Sequence, residues 1–89
     1  DMHHQCVLLE HVRQQTRQHQ LITITILHDL NLASQFADEL IFVGDGQVQA
    51  LGEPAAVIEQ ALIERLYRVR TALFHGPRQL PFIVAQEAL

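Results

Sequence analysis

Apolar positions recur along this chain first at helical spacing, then in an unbroken run, then in short alternating stretches. Over residues 2–19, Met2, Cys6, Leu9 and Val12 fall near one stripe with Leu8 beside them, while Gln and Arg fill the other faces. That period predicts an amphipathic helix. Asp1 stands at the N-cap position, where a carboxylate accepts from the free N–H groups of a first turn. The rhythm changes at 21–27, where Leu-Ile-Thr-Ile-Thr-Ile-Leu is wholly β-branched or Leu and uncharged. This run predicts a strand. It is apolar on one face and Leu and Thr on the other, which points to burial on both sides, as in the interior of a parallel sheet.

His28 follows at once, and Asp29 reads as the N-cap of a second helix, 30–37, with Leu30, Ala33, Phe36 and Ala37 facing inward. Leu40 to Val43 predict another buried strand, and two such strands joined by a helix form a βαβ unit with a right-handed crossover. Gly44-Asp45-Gly46 is a tight-turn signal. The alternation from Gln47 to Leu51 predicts an edge or antiparallel strand with one wet face. Pro54 suits the first position of a helix. Residues 54–59 and 61–68 predict two short helices, the second carrying Glu64 and Arg68 as an i,i+4 pair. Residues 70–75 and 80–85 predict a hairpin around His75-Gly76-Pro77-Arg78. The expected fold class is α/β: two parallel buried strands with a crossover helix, an antiparallel strand, short helices and a C-terminal hairpin.

Composition narrows the function classes. With 89 residues there is room for one domain with a thin core. Apolar residues make up 48% of the chain, too many for a disordered segment. Six basic against ten acidic residues give a net charge of −4, and the densest arginines, Arg65, Arg68 and Arg70, sit beside Glu59 and Glu64. No nucleic-acid partner is expected of such a surface, which would need a basic patch. Cys6 is alone and lies on the apolar stripe, so it reads as a packed thiol in a reducing compartment. No apolar run reaches the ~20 residues of a membrane span. His3, His4, His11 and His19 spread along one polar helix. A metal site needs three or four converging ligands, so no metal is expected there.

The candidate for chemistry is His28. In open parallel sheets ligands sit beyond the carboxyl ends of the strands, and His28 closes the best strand in the sequence. A neutral imidazole there can donate to a phosphate oxygen or accept from an attacking water. From position alone, the plainer reading comes first: a histidine that caps the helix after it or fills a polar slot.

The residues around it add a resemblance. Ile26-Leu27-His28-Asp29-Leu30-Asn31-Leu32-Ala33 resembles the switch-histidine segment of ABC-transporter ATPases, and His-Asp-Leu-Asn is most similar to importers of iron–siderophore complexes, haem and cobalamin. Phe36-Ala37-Asp38, Leu40-Ile41-Phe42-Val43, Asp45-Gly46-Gln47-Val48, Gly52-Glu53-Pro54, Val57-Ile58 and the stretch Leu62 to Val69 resemble the segments that follow in that family, in the same order. Asp1-Met2-His3-His4-Gln5 is similar to the end of its D-loop. Gly44 departs from the charged residue often found before Asp-Gly.

The resemblance implies that His28 contacts the γ-phosphate and helps place the attacking water. It implies that Asp1 ends the D-loop at the interface between two ATPase subunits. Asp29 and Asn31 are expected to position the loop that aims His28. It also implies ATP and Mg²⁺ as cofactors of an intact subunit. Its partners would be a membrane permease and a second ATPase subunit, at the cytoplasmic face of the inner membrane. Yet these 89 residues hold no G-x-x-x-x-G-K-[ST] and no lysine. The Gln-loop, the Leu-Ser-Gly-Gly-Gln signature and the strand ending in the Mg²⁺ aspartate and catalytic glutamate are also missing. In the family these precede the D-loop. Residues 1–89 are therefore expected to be a single partial domain, the C-terminal portion of an ABC ATPase cut from something longer. Such a piece is expected to bind no cofactor, to be inactive alone and to self-associate through its uncovered strand. The competing reading is a free-standing α/β interaction module in which His28 is structural.

Overall fold

The computed structural model describes residues 1–89. Helix α1, Met2–Gln18, begins at the Asp1 carboxylate, which accepts from the His4 amide at 3.0 Å. It ends with Gln20 in the left-handed region, φ 54°, while the Leu21 amide reaches back to the Thr16 carbonyl at 2.9 Å. This is the Schellman arrangement, which satisfies the last carbonyls of a helix. Only Leu9 of α1 is buried. The helix touches the rest of the molecule mainly at α2, where the Arg13 guanidinium lies 4.6 Å over the Phe36 ring and Arg17 stands 3.7 Å from Asp38. The radius of gyration, 13.7 Å, exceeds the about 12 Å of a compact domain of this length, as a projecting helix requires.

Helix α2, Leu30–Phe36, is followed by strands β1, Leu40–Gly44, and β2, Gln47–Gly52. These strands are antiparallel, joined by Asp45 and Gly46 with φ of 53° and 73°. Both central residues with positive φ make the primed turn whose twist suits a two-residue hairpin. A bulge falls between Phe42 and Val43. Helices α3, Pro54–Val57, and α4, Gln60–Tyr67, lead to strands β3, Val69–His75, and β4, Pro81–Ala88. These two form a second antiparallel hairpin, closed by a 3₁₀ turn over Pro77–Gln79 and by Phe74 stacked on Phe82 at 5.3 Å. The core is one cluster of Phe42, Ile58, Leu62, Ile63 and Ile83, ringed by half-buried residues that include Leu30, Leu40, Leu66 and Leu73.

Three expectations need correction. Residues 21–27 belong to no strand, and no parallel pair with a crossover helix forms. Both sheets are two-stranded and antiparallel. A strand exists only with a partner for its N–H and C=O groups. Residues 40–44 find theirs three to twelve positions on through a two-residue turn, whereas 21–27 has none. Ile22, Ile24 and Ile26 are 94%, 86% and 85% exposed, the reverse of the two-sided burial expected. The Glu64–Arg68 pair is also not made. Arg68 adopts a left-handed conformation that ends α4, and the Glu64 carboxylate instead accepts from the Thr71 amide at 2.8 Å and its hydroxyl at 3.3 Å.

Candidate functional site around His28

His28 is exposed at the end of the unpaired segment, one residue before the cap of α2. Asp29 fixes that junction. One carboxylate oxygen accepts from the Asn31 amide at 2.9 Å and the Leu32 amide at 3.1 Å. A short polar side chain in extended conformation at an N-cap satisfies donors that the helix cannot. Asp29→Ala is expected to cost about 1 kcal/mol and to fray the seven-residue α2. Faster hydrogen exchange at the Asn31 and Leu32 amides would register it, and unchanged exchange there would contradict it.

Asn31 then ties this turn to the far end of the chain. Its amide nitrogen donates to the Ile83 carbonyl at 3.1 Å, and its amide oxygen accepts from the Ile83 N–H at 2.8 Å. The side chain thus acts as a one-residue extension of the sheet on the edge of β4. One turn along, the buried Ser34 hydroxyl donates to the Pro81 carbonyl at 2.6 Å. Two polar side chains therefore hold α2, and with it the base of the His28 loop, against the C-terminal hairpin.

Asp1 is not joined to this group. Both its carboxylate oxygens are engaged by His4, one by the amide and one by the imidazole at 3.0 Å. Along the same helix His3 and His4 stand edge to face, 5.5 Å apart, and no three His, Cys, Asp or Glu side chains converge. A shallow cleft of about 250 Å³ opens between α1, α2 and α3, with Arg13, Arg17, Phe36, Asp38, Glu53 and Arg78 on its walls. Its charges are of both signs, and His28 is not among its lining residues. Sequence reasoning did not single out this cleft, because its residues come from four separate stretches.

The residues present do not form a nucleotide site by themselves. An exposed imidazole offers one contact to a phosphate oxygen. Cradling a triphosphate takes a run of backbone amides, a lysine and metal ligands, and the chain has no lysine.

No family model matches the chain. Individual proteins do. It is 42% identical over 85 residues, 94% of its length, to the hemin import ATP-binding protein HmuV of Burkholderia thailandensis. It is 38% identical over 88 residues, 99% of its length, to the HmuV of Rhodopseudomonas palustris strain BisB5. It is 36% identical over 87 residues, 92% of its length, to the achromobactin transport ATP-binding protein CbrD of Dickeya dadantii. These matches take up 31%, 33% and 32% of the relatives, so the chain spans about a third of their length. An end-to-end match to several proteins of one kind, through the His-Asp-Leu-Asn turn and both hairpins, leaves one conclusion: the chain belongs to the family of ABC-transporter ATP-binding proteins, of which it covers about a third.

Proposed function

We propose that this chain is the C-terminal portion of the ATP-hydrolysing subunit of an ABC importer for haem or an iron chelate. The observation that carries this reading is the match over 92–99% of the chain to proteins named for hemin import and achromobactin transport. In the whole subunit His28 is the switch histidine: its imidazole contacts the γ-phosphate of ATP and helps place the attacking water. Asp29 caps α2, and Asn31 locks α2 to β4. Both are positioning residues, since they act on His28 through the turn they hold. Asp1 ends the D-loop and faces a second ATPase subunit. ATP and Mg²⁺ are cofactors of that subunit, a membrane permease is its partner, and the cytoplasmic face of the inner membrane is its place. No helix of the chain is long and apolar enough to cross a membrane.

In the complete domain, residues 21–27 become the interior strand that their composition suits, with neighbouring strands from the preceding part of the subunit. The antiparallel arrangement of β1 and β2 is compatible with this, because it leaves 21–27 free for other partners.

Two measurements test the reading. The coding sequence upstream of Asp1 is expected to supply, in the same frame, a glycine-rich phosphate loop, an LSGGQ-like signature and a strand ending in carboxylates. A start codon immediately before Asp1 would favour a free-standing interaction module instead. The purified 89-residue chain is expected to show no ATP turnover, because positioning and electrostatic stabilisation are nearly the whole of phosphoryl-transfer catalysis. Turnover abolished by His28→Ala would overturn that expectation.

A further inference from the structure

Helix α2 has seven residues, too few to hold a position by its own hydrogen bonds. Contacts outside it must fix the direction in which its first turn, and His28 just before that turn, are pointed. Asp29 settles where the helix begins but not how it lies on the molecule. That is settled on β4. In an antiparallel pair, alternate residues turn their N–H and C=O groups away from the partner strand, and Pro81 and Ile83 turn theirs toward α2. Ile83 commits both its N–H and its C=O to the Asn31 side chain. Pro81 has no N–H to place, and its carbonyl accepts from the Ser34 hydroxyl at 2.6 Å. Each main-chain group that β4 turns to α2 over 81–83 is therefore met by a side chain of α2.

The two contacts form a clamp. Asn31 and Ser34 are three apart, on one face of the helix. Pro81 and Ile83 are two apart, on one side of the strand. Asn31 meets Ile83 and Ser34 meets Pro81, so α2 runs antiparallel to β4. A single contact would let the helix swivel about it. Two contacts, separated along both elements, fix its direction. The second is also the one shut off from water, since Ser34 and Pro81 each expose less than 2% of their surface. A carbonyl left there without its donor bears its full desolvation penalty. Both contacts lie inside this chain and need nothing from the rest of a subunit.

We propose that Ser34 is a further positioning residue for ATP hydrolysis: with Asn31 it clamps α2 to the edge of β4 at two points, so that the second hairpin is part of what aims the His28 imidazole. This rests on the reading of His28 as the switch histidine. It adds that the capped turn is not sufficient by itself. Loss of the Ser34 contact leaves the histidine in place and lets its direction drift.

The test uses a chimera carrying residues 1–89 in place of the matching segment of the hemin import ATP-binding protein of Burkholderia thailandensis. Ser34→Ala there is expected to lower kcat about 3- to 10-fold, the factor that one internal hydrogen bond is worth, with the KM for ATP unchanged. Such a split marks an interaction that counts in the transition state and not in binding. Ile58→Val, which trims the core cluster away from the clamp, is expected to lose comparable thermal stability and to keep its kcat. An unchanged kcat in Ser34→Ala, or an equal fall in Ile58→Val, overturns the proposal. A double-mutant cycle separates it from the reading beneath it. In His28→Ala, followed in single turnovers with enzyme in excess, adding Ser34→Ala is expected to leave the residual rate unchanged, because Ser34 acts only through His28. A second loss as large as the first overturns the proposal and leaves the role of His28 standing. His28→Ala with the parent's turnover overturns the role of His28 itself, and the proposal with it.

Discussion

Placed in a complete subunit, His28→Ala is expected to lower ATP turnover by about 100- to 10,000-fold, the range for losing a positioned proton-handling group. The subunit to use is a chimera in which residues 1–89 replace the matching segment of the hemin import ATP-binding protein of Burkholderia thailandensis, to which they are 42% identical. That host supplies the two thirds of an ATP-binding protein that this chain does not span. The expected magnitude follows from the position of His28. Its ring is exposed, and the residue after it is locked as an N-cap by two hydrogen bonds. The imidazole can therefore meet a phosphate without first breaking internal contacts, while its backbone is held still. Nucleotide affinity should change much less than turnover, because most of the phosphate contacts belong to the host. Asn31→Ala in the same chimera should give a smaller loss, since it frees the loop from Ile83 without removing the reacting group. A His28→Ala chimera with the turnover of its parent would show that the histidine is structural.

How much of this was legible beforehand depends on the range of each interaction. The first helix, the Asp45-Gly46 turn and the C-terminal hairpin follow from residues within a few positions of one another, and their observed bounds lie within three residues of those expected. Asp29 as a cap is equally local. Strand pairing is not. The strand expected at 21–27 does not form, because propensity names no partner, and residues 1–89 supply none. The same blindness hid the antiparallel pairing of β1. Its apolar character, Leu-Ile-Phe-Val, suggested an interior parallel strand, yet Ile41 and Val43 are 58% and 68% exposed. Within the site, His28 stood out through its setting, whereas the hold of Asn31 on Ile83 spans 52 positions. No pattern in the sequence announces that contact. The fate of Glu64 shows a subtler limit. Helical spacing pairs it with Arg68, but Arg68 leaves the helix at that point, and two donors on Thr71 take the carboxylate instead.

The same thin core that makes the chain easy to read locally makes it fragile, and Ile63→Ala is expected to remove a large part of its stability. Ile63 has no exposed surface, and it sits on α4 within the cluster formed by Phe42, Ile58, Leu62 and Ile83. Removing three buried carbons leaves a cavity as well as a lost transfer energy, together about 2–5 kcal/mol. A domain of this length has a margin of about 4–13 kcal/mol in total. The cluster also joins elements that share few other contacts. Phe42 comes from the first hairpin and Ile83 from the second. Urea denaturation followed by circular dichroism should therefore show the midpoint falling sharply, or no folded baseline at all. The control is Val48→Ala on the 64%-exposed face of β2, which should stay within about 0.5 kcal/mol of the parent. A loss below about 1 kcal/mol at Ile63 would mean that the two hairpins do not share one core. The consequence reaches the site, because the backbone of Ile83 is what Asn31 grips. When the second hairpin loosens, the turn carrying His28 loses its anchor. Hydrogen exchange at the Asn31 and Leu32 amides should then rise in Ile63→Ala even under conditions where α4 itself stays folded.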